Sequence, residues 1–292
     1  MKISSLAALA IASAAIFSPV TQAKDSDWHY LLDQDLSQWN TYLGFPNPET
    51  EIKGLPKDAE GNYTQPIGHG KDEKGVFTVS LQDGQPVLRV SGEIYGSVYT
   101  NEEFENYHLV LQYKWGSKKW KPRLDLELDT GILYHAIGEH GVDYWKAWAL
   151  SQELQIMEQS TGDWWQIADS QIDIRCEERE GEDVHIYNPQ AERLSFGPGG
   201  VGITCRRSHD REKPKGEWNT VELITYGDKS LHIVNGEVVM ALSNSRYTRD
   251  GKVIPLTKGK ILLQSEAGEA FFRDIKLRSI NGIPAQYRSY FN

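Results

Sequence analysis

The chain has 292 residues, with 31 Lys and Arg against 41 Asp and Glu and a formal net charge of −10. Both signs are interspersed, which argues against a nucleic-acid or anionic-membrane partner and suits a neutral ligand. Nine Trp and fourteen Tyr supply the large side chains that a sizeable core needs.

Met1-Lys2 precedes an apolar run from Ile3 to Val20, which closes on Thr21-Gln22-Ala23. Small residues one and three places before a cut mark a secretory signal peptide. Residues 1–23 are therefore expected to be removed after Ala23, with residues 24–292 exported to the periplasm or secreted. Serines and Pro19 interrupt the run, which is short for a bilayer, and no other long apolar segment follows, so no membrane span is expected.

Beyond Ala23 the hydrophobic period is 2 almost throughout. Val87–Val90, Tyr107–Trp115 and Thr220–Tyr226 alternate or nearly so and read as strands. Leu231–Val239 reads as a hairpin, because Asn235-Gly236 supplies the positive φ angles of a type I′ turn. Lys260–Gln264 and Ala270–Leu277 read as a strand pair turned around Glu266-Ala267-Gly268-Glu269. With no amphipathic helix of four turns and no internal repeat, these strands predict one all-β sandwich. Two irregular excursions interrupt it, Phe45 to about Gly75 and Glu177 to Lys215, and loops of that length usually wall or cover a site. Cys176 and Cys205 are the only cysteines. In an oxidising compartment they are expected to pair and to staple the second excursion.

Chemistry concentrates between residues 130 and 165. Glu153 and Gln155 share one face of a strand, and a one-residue bulge would bring Glu158 to the same face. Two carboxyls and an amide in one row are what sugar-cleaving sandwiches use as acid, base and positioning group. Tyr134, His135 and His140 precede that strand, together with Trp145, Trp148, Trp164 and Trp165, whose rings can stack on pyranose faces. His135, His140 and Glu153 form an alternative divalent-metal set, although their spacing is not that of a zinc site. Two further patterns are set aside. Gly197-Pro198-Gly199-Gly200-Val201-Gly202 has dinucleotide-fingerprint spacing but neither the strand before it nor the helix after it. Asp125, Glu127, Asp129 and Gly131 faintly match a calcium loop, but the glycine is one place late and the closing glutamate is missing; they read as a solvated strand face or loop.

Leu31-Leu32-Asp33-Gln34-Asp35-Leu36-Ser37-Gln38-Trp39, Phe104–Leu109, Thr130–His135, Glu153–Ile156, Gly216–Asn219 and Phe272–Lys276 occur in an order and spacing that resemble the 3-keto-disaccharide hydrolase domain family, over about residues 27–280. The resemblance implies a concanavalin A-like jelly-roll β-sandwich of two antiparallel sheets, related to lectins and family 16 glucanases, with a sugar-binding concave face. Those glucanases carry Glu-x-Asp-x-x-Glu on a bulged strand. Glu153, Gln155 and Glu158 match that spacing, but Gln155 replaces the central carboxyl, a departure that disfavours ordinary double displacement. The family's activity implies instead a sugar oxidised at C3 by a separate oxidoreductase, cleaved after removal of the C2 proton. In that scheme Glu153 or His135 is the base, Glu158 the leaving-group acid, and Gln155, Tyr134, His140, Trp145, Trp148 and Trp164 hold the sugar. No cofactor is expected, with a divalent metal such as calcium as the alternative. A non-catalytic carbohydrate-binding module and a glucanase acting on unoxidised polysaccharide are the alternatives.

Overall fold

The alternating segments form strands of two antiparallel sheets, seen in a computed structural model that describes residues 27–143, 145–179, 181 and 184–292. The expected signal peptide and Tyr144 lie outside these residues. The larger sheet runs through Phe77–Gln82, Gln85–Val90, Gly268–Ser279, Tyr107–Lys119, Asn219–Tyr226, Lys229–Val234, Glu237–Arg249 and Ser170–Glu178. The smaller sheet includes Trp39–Leu43, Gly96–Thr100, Lys260–Ser265, Asp129–Ile137, Leu150–Met157 and Trp164–Ile167. Leu109, Leu111, Val221 and Phe272 from the larger sheet meet Ile132, Tyr134, Leu154 and Leu263 from the smaller one in a shared buried core. This is the expected jelly-roll sandwich.

Asn235 and Gly236 both take positive φ, 49° and 86°, as the type I′ hairpin requires. The other expected pair is different. Lys260–Ser265 pairs with Gly96–Thr100 and Asp129–Ile137 in the smaller sheet, whereas Gly268–Ser279 lies between Gln85–Val90 and Tyr107–Lys119 in the larger. Two alternating strands joined by a short bend satisfy the same hydrophobic pattern whether they pair in one sheet or cross from one sheet to the other. Here the bend crosses. Gly268 packs so closely on the Asp129 backbone that an added Cβ would lie 2.7 Å from Asp129 N. Glu266, in that bend, is thereby set beside the start of the Asp129 strand.

Cys176 and Cys205 are both buried and free, with their Sγ atoms 3.1 Å apart. The strands bring the two together as expected, but the separation exceeds a disulfide bond of about 2.05 Å. The expected covalent staple is not formed. Backbone hydrogen bonds hold the excursion instead, among them Tyr187 N to Arg206 O at 2.8 Å. Among the described residues no helix is long and apolar enough to cross a membrane.

Candidate active site

Alternation divides the residues of the smaller sheet between two environments. Ile132, Tyr134, Leu154 and Ile156 point into the core between the sheets. Glu153, Gln155 and Met157 line a cleft of about 740 Å³ on the opposite face. The register between the two central strands is unbroken from Asp129↔Met157 through Gly131↔Gln155 to Leu133↔Glu153. Gly131 is required at the middle of this row. A Cβ there would lie 2.2 Å from Gln264 Oε1 and 2.7 Å from Glu153 Oε1, so only glycine lets both side chains lie across the strand.

Around that gap the cleft gathers Asp129, Glu153 and Glu266, with Arg123 as their counter-charge. Arg123 Nη2 is 2.7 Å from Asp129 Oδ2, and Arg123 Nη1 is 3.8 Å from Glu266 Oε1. All three carboxyls are buried. Burial pushes Asp129 up to about 7, against the pull of Arg123 and the Thr130 backbone N–H. Burial lifts Glu153 well above the usual carboxyl range, reinforced by the charge of Asp129 and opposed by a hydrogen bond from Gln264. Glu266 is also lifted well above it, by burial and then by repulsion from Asp129 and Glu153, with Arg123 opposing. Burial and mutual repulsion thus favour the protonated forms of the three carboxyls, and Arg123 favours ionisation of Asp129 and Glu266. The separation of acid and base roles by environment follows from these shifts.

The sequence-derived set is redistributed. Glu153, Gln155, Trp145 and Trp148 line the cleft. Glu158 does not. With no bulge after Gln155, the row continues through Met157, and Glu158 turns away to receive the Leu128 N–H at 3.4 Å and Lys215 Nζ at 3.4 Å. His135 also lies elsewhere. A register shift between Tyr134 and Ile137, with His135 at φ 55°, turns its ring into the protein, where Nδ1 donates to Leu256 O at 3.1 Å and burial lowers its pKa to about 4. Tyr134 faces the inter-sheet core, its hydroxyl 2.9 Å from Ser230 Oγ. Trp164 is likewise internal, donating Nε1–H to Gln152 Oε1 at 2.8 Å, and its neighbour Trp165 takes the place in the cleft. His140 stands in a separate ring cluster with Tyr42, His69 and Tyr99, where burial, His69 and Lys260 lower it to about 4. His135, His140 and Glu153 therefore share no site, and among the described residues no group of three or more His, Cys, Asp and Glu side chains is arranged to hold a metal ion.

Sequence reasoning missed Arg123, Glu266 and Gln264, and took Asp129 for a solvated residue although it is 2% exposed. Asp129 carries the one available signal: it directly precedes Thr130-Gly131, whose glycine interrupts an otherwise bulky strand.

The state of Glu153 has a consequence for stability. Its folded-state pKa is above the unfolded value of 4.5, so the stability that the protonated form contributes is complete below pH 4.5. That contribution is lost as pH rises toward the raised folded value. Glu153→Gln, a neutral isostere, is expected to raise Tm at pH 8 by several degrees, since every tenfold weakening of an acid on folding corresponds to about 1.4 kcal/mol. At pH 4 the variant should gain nothing, and thermal melts at both pH values check this.

The sequence profile described as a 3-keto-alpha-glucoside-1,2-lyase-like domain matches residues 27–278. No curated protein matches the chain. Among solved structures it is similar to a candidate glycosyl hydrolase from Parabacteroides distasonis ATCC 8503, with 15% identity, 90% of this chain and 99% of that one covered, and a TM-score of 0.49. A non-specific endo-β-1,3(4)-glucanase of family GH16 shares 13% identity over 89% of this chain and 94% of its own, with a TM-score of 0.42. The carbohydrate binding module CBM66 from Bacillus subtilis shares 8% identity over 70% and 92%, with a TM-score of 0.39.

Proposed function

From the premise that this chain belongs to the 3-keto-alpha-glucoside-1,2-lyase-like family, we propose that it cleaves 3-keto-glucosides by elimination across C1 and C2. The observation that carries this reading is the trio of buried carboxyls held around Arg123. A carbonyl at C3 makes the C2 hydrogen acidic. The Asp129 carboxylate takes that proton, and the C–H electron pair passes into the C2–C3 enolate, whose oxygen the Arg123 guanidinium stabilises. The enolate then collapses: C1=C2 forms, the C3 carbonyl returns, and the C1–O bond breaks with its electron pair on the leaving oxygen. Glu153, held protonated, donates a proton to that oxygen. The products are an enone and an alcohol, with no net redox change. Addition of water to the enone would make the outcome a hydrolysis. Gln155 and Gln264 flank the reacting centre and orient the ring hydroxyls.

The reading needs an oxidoreductase elsewhere to supply the C3 ketone. The N-terminal apolar run that closes at Ala23 supports export of the chain. The test is incubation with a 3-keto-glucoside and with its unoxidised parent, following enone absorbance and product mass. Cleavage of the ketone alone is expected, slower when C2 carries deuterium. Equal turnover of both sugars would identify a glucanase, and binding without turnover of either would identify a carbohydrate-binding module.

A further inference from the structure

The cleft lining is of two chemical kinds. Arg123, Asp129, Glu153 and Glu266 supply charge and acidity; Val142, Trp145, Trp148, Trp165 and Ile203 supply apolar walls. Three of these side chains are exposed although large and apolar: Val142 at 54%, Trp145 at 40% and Ile203 at 59%. Leu124, Leu126 and Val201, equally exposed, stand within three residues of cleft-lining Arg123 or Ile203. Six of the ten exposed large apolar side chains among the described residues thus belong to the loops around one opening. Scattered exposed apolar groups are ordinary, but their concentration at one cleft marks a binding surface.

Two of the polar side chains beside these walls are already engaged. Asp143 accepts from the backbone N–H groups of Trp145, Ala147 and Trp148 at 3.1, 3.0 and 2.8 Å. Gln166 donates to Ala168 O. The groups left open beside the apolar walls are the Trp165 Nε1–H, buried without a partner among the described residues, and the exposed Asp169, a sparse set for the several hydroxyls of a second sugar. Trp145 packs on Tyr95 at 5.4 Å between ring centroids, and Tyr95 stacks on Trp148 at 6.0 Å. The indole is thereby fixed as one wall of the opening. The cleft volume, about 740 Å³, lies high in the range of roughly 300–1,000 Å³ for small-molecule pockets, leaving room beyond one pyranose.

Building on the elimination reading, we infer that the leaving group is an aromatic or similarly apolar aglycone rather than a second sugar. The keto-sugar lies against the carboxyls, and the aglycone lies against Trp145 and Ile203.

Three 3-keto-glucosides with alkoxide leaving groups test this: methyl, 2-phenylethyl and glucosyl. kcat/KM for the 2-phenylethyl compound is expected to exceed that for the 3-keto-disaccharide about tenfold or more, the scale set by burying one aromatic ring. The double variant Trp145→Ala, Ile203→Ser should lower the ratio of 2-phenylethyl to methyl kcat/KM at least fivefold. A disaccharide cleaved as well as the 2-phenylethyl compound, or a ratio unmoved in the variant, would overturn the assignment. Failure to cleave any of the three would sink the elimination instead. Calorimetric titration with unoxidised 2-phenylethyl glucoside and a matched disaccharide would still decide the aglycone preference, because tighter binding of the disaccharide refutes it.

Discussion

Asp129→Asn is expected to lower kcat/KM for a 3-keto-glucoside by about 10²–10⁴, the range for losing a general base. The substitution keeps the shape and removes only the proton acceptor. Binding of the unoxidised glucoside, measured by titration, should survive within a few-fold. In the unaltered protein the acid limb of kcat/KM against pH should fall near 7, where burial and the opposing Arg123 charge place this carboxyl. Asp129→Asn should abolish that limb. A variant retaining most of the activity would transfer the base role to Glu266, the carboxyl on the other side of Arg123.

Arg123→Met carries the second large effect. The guanidinium lowers the pKa of both Asp129 and Glu266, so its removal lets both rise. The acid limb should move up by at least one pH unit. The rate at a pH above the shifted limb should still fall about 10²–10³, because the charge that stabilises the enolate oxygen is gone. The stability effect has a definite sign. Without Arg123 the folded state holds its protons to higher pH than the unfolded chain does, so stability is lost as pH climbs. At pH 6 the carboxyls simply stay protonated and the loss of stability is small. At pH 9 the folded state must either keep protons that the unfolded chain has released or ionise these carboxyls without a partner, and the loss approaches the roughly 3–5 kcal/mol of a broken buried ion pair. Denaturant unfolding at both pH values measures the difference.

The sandwich was legible because alternation and an Asn-Gly turn are local properties. So was the row through Glu153 and Gln155, since a strand fixes which residues share a face. Glu158 was not, because the proposed bulge depended on a partner strand, and that partner keeps its register through Met157. Trp164 and Trp165 differ by one place, and with a period of 2 a single residue decides between core and cleft. Asp129 and Glu266 lie deeper still beyond sequence reasoning. In Leu124-Asp125-Leu126-Glu127-Leu128-Asp129 the acids alternate as on a wetted face, yet the strand begins only at Asp129. What removes water from this carboxyl is the bend at Glu266, more than a hundred residues later in the chain and crossing between sheets.

That crossing bears on how the protein acquires its reactivity. Arg123 and Asp129, Glu153, and Glu266 sit on separate stretches of chain, and nothing local holds them together. They meet only after Lys260–Ser265 has joined the smaller sheet and Gly268 has settled on Asp129. Until then each carboxyl is hydrated and titrates as an ordinary acid, and loop closure over such sequence distances is the slow part of folding. A chain still emerging, or one lacking its last strands, therefore carries Arg123, Asp129 and Glu153 without Glu266 and without the shifted acidity. Chemical competence depends on the docking of Lys260–Ser265 as much as on the residues that do the chemistry.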